Sequence, residues 1–202
     1  MNKNIIFDFG GVILNIDYNL TINAFKKLGI NNFDTLYSQA RQSHLFDKFE
    51  KGEISPGEFR TQINTFLTKK LKNEEINSAW SAMLLNLPTA RLTFLEKLGK
   101  KHRLFLLSNT NEIHIAEFTK RMKKENQYSL WEKIFEKKYF SSKIGMRKPD
   151  AVTFEHVLNS NRLKANETLF VDDSLENIEG ANRVGLNTYL LKKGEDILSL
   201  KY

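Results

Sequence analysis

The chain has no cysteine in its 202 residues, so neither a disulfide framework nor a thiolate metal site can form, and folding makes no demand for an oxidising compartment. Histidine is scarce as well, and its four copies show no metal-ligand spacing. Long apolar runs are missing. At the N-terminus the run Ile5-Ile6-Phe7 is broken by Asp8, which leaves it too short for a signal-peptide core and far short of a membrane span. No internal repeat or low-complexity linker interrupts the chain. A soluble cytoplasmic protein with no membrane partner is expected, as a monomer or weak homodimer.

Hydrophobic residues make up 41% of the chain, enough for one domain, or one domain with a smaller insertion, around a sizeable core. The net charge of +7 raises the question of a nucleic-acid or acidic-surface partner. The basic residues are mostly lysines interleaved with glutamate over 69–72, 120–138 and 192–193. They form no arginine-rich stripe alternating with aromatics. Solvated helix faces account for them, and no nucleic-acid partner is expected.

Short apolar segments bounded by polar residues or glycine predict strands at Ile5 to Asp8, Arg103 to Ser108, Lys138 to Phe140, Leu169 to Asp172 and Thr188 to Leu191. Helical periodicity falls between the later ones, at Thr89 to Lys100, Glu112 to Lys123, Tyr128 to Glu136, Ala151 to Leu158 and Glu176 to Val184. Alternating strands and helices imply an α/β fold, a doubly wound, Rossmann-like parallel sheet covered on both faces. From Tyr18 to Leu85 only helical periodicity is present. A crossover needs about a dozen residues, so this stretch reads as an inserted helical cap over residues 17–85, with 1–16 and 86–202 forming the core. It emerges at the carboxyl edge of the sheet, where such folds bind ligands.

Four polar groups recur at that edge. Asp8 closes the first strand and is followed by Phe9, Gly10 and Gly11. Ser108-Asn109 closes the second, Lys148 lies in Gly145-Met146-Arg147-Lys148-Pro149, and Asp172-Asp173 closes the fourth. Each alone has a bland reading as a helix cap, a turn former or a solvated lysine. Together they converge, because parallel strands end on one side. At about 4 Å and an effective dielectric near 20, each pair of ionised carboxylates repels by roughly 4 kcal/mol, so protons or a cation must compensate. Oxygen-only donors without histidine or cysteine favour a hard cation, Mg²⁺. Ser108 and Asn109 at a helix start offer donors to an anion, and Pro149 would fix the loop that aims Lys148.

The segments Asp8-Phe9-Gly10-Gly11-Val12, Leu107-Ser108-Asn109-Thr110, Lys148-Pro149 and Val171-Asp172-Asp173-Ser174 with Asn177 resemble the four motifs of the haloacid dehalogenase-like hydrolases. The insertion resembles their helical cap of the C1 type. Ser108-Asn109-Thr110-Asn111, Gly145 to Pro149, Asn177 to Asn182 and cap residues Glu50, Gly52, Glu53, Ile54 and Ser55 are most similar to the alpha-D-glucose-1-phosphate phosphatase group. The resemblance implies a small phosphorylated metabolite as substrate and Asp8 as the nucleophile that becomes an aspartyl phosphate. It implies Mg²⁺ held by Asp8, the Gly10 carbonyl and Asp173, with Asp172 ligating or orienting a water. It also implies Gly11, Ser108, the backbone amide of Asn109 and Lys148 around the phosphoryl group.

One departure bears on mechanism. Most phosphatases of this superfamily carry a second Asp two residues after the nucleophile, and here that position is Gly10. The glucose-1-phosphate phosphatase group shares the lack. A positioned general acid is worth roughly 10² to 10⁴ in rate, so either Asp17, at the cap entrance, takes the role, or the enzyme prefers leaving groups that depart readily. Tyr18, Arg41, His44 and His114 are candidates for contacting substrate. A metal-independent dehalogenase, a phosphoryl transferase or mutase, and a non-catalytic binding protein are alternatives on the same core.

Overall fold

The computed structural model describes residues 2–36, 44–67 and 70–200. Five parallel strands, β1 (Asn4–Phe7), β2 (Arg103–Ser108), β3 (Lys137–Phe140), β4 (Thr168–Asp172) and β5 (Asn187–Leu190), form one sheet in the order β3-β2-β1-β4-β5. All five strands read from the sequence are present, each within one residue of its expected bounds. The central strands β1, β2 and β4 are legible because strands buried on both faces read as continuous apolar runs, while the edge strands β3 and β5 are only partly buried.

The chain order around the sheet follows from the connections. After β1 come the helices α1 (Tyr18–Lys27), α2 (Phe33–Leu36), α3 (His44–Glu50), α4 (Pro56–Thr65) and α5 (Asn73–Trp80), then a 3₁₀ turn at Ser81–Met83. The core helices are α6 (Thr89–Leu98), α7 (Glu112–Lys124), α8 (Tyr128–Ile134), α9 (Ser141–Ile144), α10 (Ala151–Ser160) and α11 (Leu175–Arg183). The helices α6 and α8 each end two residues short of their expected bounds. Phe135 already has extended dihedrals, φ −103° and ψ 134°, because it leads into β3. The short α9 had no sequence signal.

Between β1 and α6 the stretch of helices begins and ends in a paired ribbon. Asp17 N–H donates to the Met83 carbonyl at 2.9 Å, Leu85 N–H to Asn15 at 2.9 Å, and Asn15 N–H to Asn86 at 3.1 Å. Local chemistry sets the helix starts. Ser55 and Glu58 form a reciprocal capping box at α4, with Pro56 in the first turn, satisfying two otherwise orphaned N–H groups. The inserted helices bury Phe25, Phe33, Phe46, Phe49, Phe59 and Trp80, with the Trp80 ring stacked on Phe46 at 5.2 Å. This aromatic cluster is continuous with the β1 side of the core. A second cluster fills the other face of the sheet around Ile6, Phe105, Phe154 and Phe170.

The first described turn after β1 is held from below. Arg91, buried on α6, donates to the Ile13 carbonyl at 2.9 Å and to Asn15 at 2.9 Å, and its Nε pairs with Asp196. The loop carrying Gly10 and Gly11 is thereby fixed to a core helix. No helix among the described residues is long and apolar enough to cross a membrane.

Candidate active site

Pairing of Phe7 with Leu106 on one side and Val171 on the other puts the next residue, Asp8, level with the ends of β2 and β4. Asp8 N–H extends the ladder to the Val171 carbonyl at 2.9 Å. The side chain emerges into a cavity of about 180 Å³ lined among others by Asp8, Tyr18, Ser108, Asn109, Lys148 and Asp173. It lies at the carboxyl edge, where the chain switches from one half of the sheet to the other, as doubly wound folds lead one to expect.

Lys148 is 1% exposed. Its ammonium donates to Asp8 at 2.5 Å and to Asp172 at 2.7 Å. Burial alone would lower its pKa, but Asp172 and Asp8 outweigh that and hold it above the ordinary lysine value. What aims it is Asn109. The Asn109 amide donates to the Lys148 carbonyl at 2.8 Å, while its oxygen accepts the Lys148 N–H at 2.9 Å. This side chain grips the backbone of the lysine loop, whereas the group expected at the phosphate is the Asn109 backbone N–H.

Asp172 is fully buried. Besides Lys148 it accepts from Ser174 N–H at 2.8 Å, and from the Asn177 amide at 3.0 Å and 3.1 Å on its two oxygens. Oxygens of Asp8, Asp172 and Asp173 all lie within 4.8 Å of one another. Burial pushes the Asp8 carboxyl up to about 7 against the pull of Lys148, and Asp172 and Asp173 add to the push. Asp173 is raised to about 6, by burial first and Asp172 second. With all three carboxylates ionised, a single ammonium would leave two negative charges uncompensated. That is the charge of one divalent cation, and oxygen donors alone suit a hard one.

Gly11 corrects an expectation. Its N–H, expected at the phosphate, donates to the Leu14 carbonyl at 2.8 Å. The position needs glycine for space: a Cβ there would stand 2.1 Å from Asp173 Oδ2, and φ is +83°. Gly10, with no side chain, lines the cavity beside Asp8.

Asp17 also departs from its expected role. Its carboxylate accepts from Asn19 N–H at 3.0 Å as the N-cap of α1, and it is not among the residues lining the cavity. Residues of this type at this position serve the helix end. Of the candidate substrate contacts, Tyr18 lines the cavity and its phenol pKa is raised, by burial first and then by Asp173, Asp8 and Glu50. It therefore stays a neutral donor. His44 is exposed, and Arg41 lies outside the described residues.

His114 lines the cavity, but both its nitrogens are used. Nε2 faces the Trp80 carbonyl at 3.0 Å and must donate to it, which leaves Nδ1 to accept from the Asn111 amide at 3.3 Å. Asn111 in turn accepts from Trp80 Nε1 at 3.2 Å and from His114 N–H at 3.1 Å. This network ties α5 to α7, and nothing in the local sequence pattern announces it. Burial lowers the His114 pKa to about 4 from 6.5. Between those values the unfolded chain takes up a proton that the folded chain refuses. Stability is therefore expected to fall as pH drops from about 6.5 to about 4, by about 3 kcal/mol in all, with no further loss from this residue below that window. Urea midpoints measured across this range should show a shallower slope for His114→Gln than for the wild type. Parallel curves would remove the assignment.

Sequence reading also missed Arg147. Its guanidinium reaches Asp47 at 2.7 Å and Glu50 at 3.1 Å on α3, a partnership spanning about a hundred residues. Glu50 and Arg147 both line the cavity.

The chain is similar to known proteins in sequence and in fold. A family model described as haloacid dehalogenase-like hydrolase matches residues 3–185. A D-ribitol-5-phosphate phosphatase of Bacteroides thetaiotaomicron is 34% identical over 201 residues, covering 97% of this chain and 95% of that protein. A sesquiterpene phosphatase of Aspergillus oryzae is 30% identical over 187 residues, covering 91% of this chain and 87% of that one. A HAD family enzyme of B. thetaiotaomicron, crystallised with magnesium and inorganic phosphate, superimposes with a TM-score of 0.92 at 35% identity over the whole of both chains.

Proposed function

The chain belongs to the haloacid dehalogenase-like hydrolases, and on that premise we propose that it is a Mg²⁺-dependent phosphatase of a small phosphorylated metabolite, a sugar or sugar-alcohol phosphate. Residues 17–85 act as its cap and 1–16 with 86–202 as its catalytic core, and it works in the cytoplasm. The observation that carries the reading is the cluster of Asp8, Asp172 and Asp173 around one buried lysine.

In this reading Asp8 attacks phosphorus, the ester bond breaks, and the phosphoryl group passes to the carboxylate before water releases it. Covalent catalysis of this kind splits one difficult displacement into two. Lys148 neutralises charge on the transferring oxygens and orients Asp8, with Ser108 and Asn109 at the same edge; positioning and charge supply most of the rate in such transfers. Asp8, the Gly10 carbonyl and Asp173 would hold Mg²⁺, which would offset the negative charge that nucleophile and phosphate bring together. Asp172, saturated by Lys148, Asn177 and Ser174, holds the lysine and orients the ligand shell. Gly10 offers no acid, and Asp17 is turned to its helix, so leaving groups that depart readily are favoured.

Gly11→Ala tests the metal seat. The added methyl meets the Asp173 carboxylate, and displacing a ligand or its support typically costs 10- to 100-fold in metal affinity. Calorimetric titration with Mg²⁺ is expected to show a loss of that order in a folded protein destabilised by only about 1 kcal/mol from the positive φ. Unchanged affinity would place the cation elsewhere.

The reading itself is tested by product analysis. Phosphate release from para-nitrophenyl phosphate and sugar phosphates that requires Mg²⁺ supports it. Chloride release from 2-chloropropionate without phosphate release would replace it with the dehalogenase alternative.

A further inference from the structure

The edge of the sheet opposite Asp8 carries a second concavity. An open basin of about 630 Å³ lies where β1, β2, β3 and β4 begin, walled by the segments that lead into those strands. Doubly wound folds bind their ligands at the other edge, so the catalysis proposed above makes no use of it. Seven lysine and arginine side chains line the basin against two glutamates, so five of the chain's seven net positive charges gather there.

The glutamates are already engaged. Glu136 pairs with Arg103 at 2.7 Å and Glu167 with Lys3 at 3.1 Å. Lys100, Lys101, Lys133, Arg162 and Lys164 are exposed. Among the described residues none of these five forms an ion pair, and Lys164 acts on Glu167 only from beyond that reach. They come from the α6–β2 and α10–β4 connections and the end of α8, so the fold collects them and no single lysine-rich helix face does. Arg162 is the most telling. It follows α10 at a φ of +55°, a left-handed position that glycine fills without the steric cost an arginine bears. Leu163 N–H closes that helix end on the Leu158 carbonyl at 2.9 Å, and a guanidinium contributes nothing to it. Like charges gathered in one concavity repel, and no contact in the core recovers that cost.

We infer that this basin binds a small molecule carrying two or three linked phosphate groups, at a site separate from the catalytic cavity. Cations without ion pairs suit a ligand of several negative charges, and a guanidinium fork matches phosphate oxygens in particular. The volume falls within the 300–1,000 Å³ of small-molecule sites. The one phenylalanine in the lining, Phe135, is 5% exposed, so it offers no platform for stacking the bases of a nucleic-acid strand.

The test titrates tripolyphosphate and orthophosphate by calorimetry into protein stripped of metal, in which the carboxylates of Asp8, Asp172 and Asp173 repel anions from the catalytic cavity. Tripolyphosphate is expected to fill one saturable site, roughly tenfold or more tighter than orthophosphate. Arg162→Gly removes the guanidinium and relieves the left-handed strain. It is expected to melt no lower than wild type and yet to bind tripolyphosphate roughly tenfold more weakly. Reversing two charges in the basin, Lys100→Glu with Lys164→Glu, is expected to cost at least as much. Reversing two at the other edge, Lys192→Glu with Lys193→Glu, is expected to cost about twofold or less, because solvent and salt screen distant charges. Equal losses in the two double variants, unchanged affinity in Arg162→Gly, or no saturable binding would overturn the inference. Displacement of tripolyphosphate by a lower concentration of a single-stranded oligonucleotide would overturn it too, in favour of a nucleic-acid site.

Discussion

Asp8→Asn is expected to lower Mg²⁺-dependent phosphate release on the order of 10⁴-fold or more, the scale seen when a covalent nucleophile is removed. The metal-free variant is expected to be at least as stable as the wild type. Asparagine keeps an oxygen for the Lys148 ammonium, which sits 2.5 Å from the present carboxylate. It also removes one of three carboxylates whose oxygens lie within 4.8 Å of one another. Ionised pairs that close repel by roughly 4 kcal/mol at an effective dielectric of 20. Native active sites commonly hold charge that function needs and folding does not. Thermal melts in EDTA check the second half, and a melting temperature several degrees below wild type would contradict it.

Lys148→Met should move stability the other way. Methionine nearly matches lysine in volume, so packing is preserved and the charge alone is lost. Asp8 and Asp172 then remain buried with no cation against them, and breaking a buried pair by removing one partner costs about 3–5 kcal/mol. Loss of a donor to the transferring group adds a rate penalty of roughly 10² to 10³. Because a divalent cation restores part of the charge balance, Mg²⁺ is expected to raise the melting temperature of this variant more than that of the wild type. Equal stability of Lys148→Met and wild type in EDTA would mean that the carboxylates are not the partners that matter. Opposite signs for Asp8→Asn and Lys148→Met follow from one imbalance, two negative charges in excess.

Much of this site was legible before any coordinates. Asp8, Ser108 and Asp172 each terminate an apolar run, and parallel strands must end on one side, so their convergence needed only the fold class. Lys148 needed its loop motif. What was not legible depends on contacts that leave no periodic trace. The Asn109 side chain clamps the Lys148 backbone across 39 residues of sequence, which its place after a strand does not announce. Gly11 looked like an amide donor, yet it makes room for a carboxylate contributed by a distant strand end. Asp17 looked like a replacement acid because it borders the cap, but a carboxylate just ahead of a helix finds the nearest orphan N–H first. Glu50 and Arg147 meet only because α3 folds back over the lysine loop, and helical spacing within the cap says nothing of which face does so.

The most direct measurement is the mass of the enzyme quenched in acid during Mg²⁺-dependent turnover of para-nitrophenyl phosphate, followed by peptide mapping. One phosphoryl group is expected on the peptide that contains Asp8, absent from Asp8→Asn and absent when Mg²⁺ is withheld. Sustained phosphate release with the label on another residue, or undiminished in Asp8→Asn, would contradict Asp8 as the nucleophile and with it the organisation of the site around that strand end.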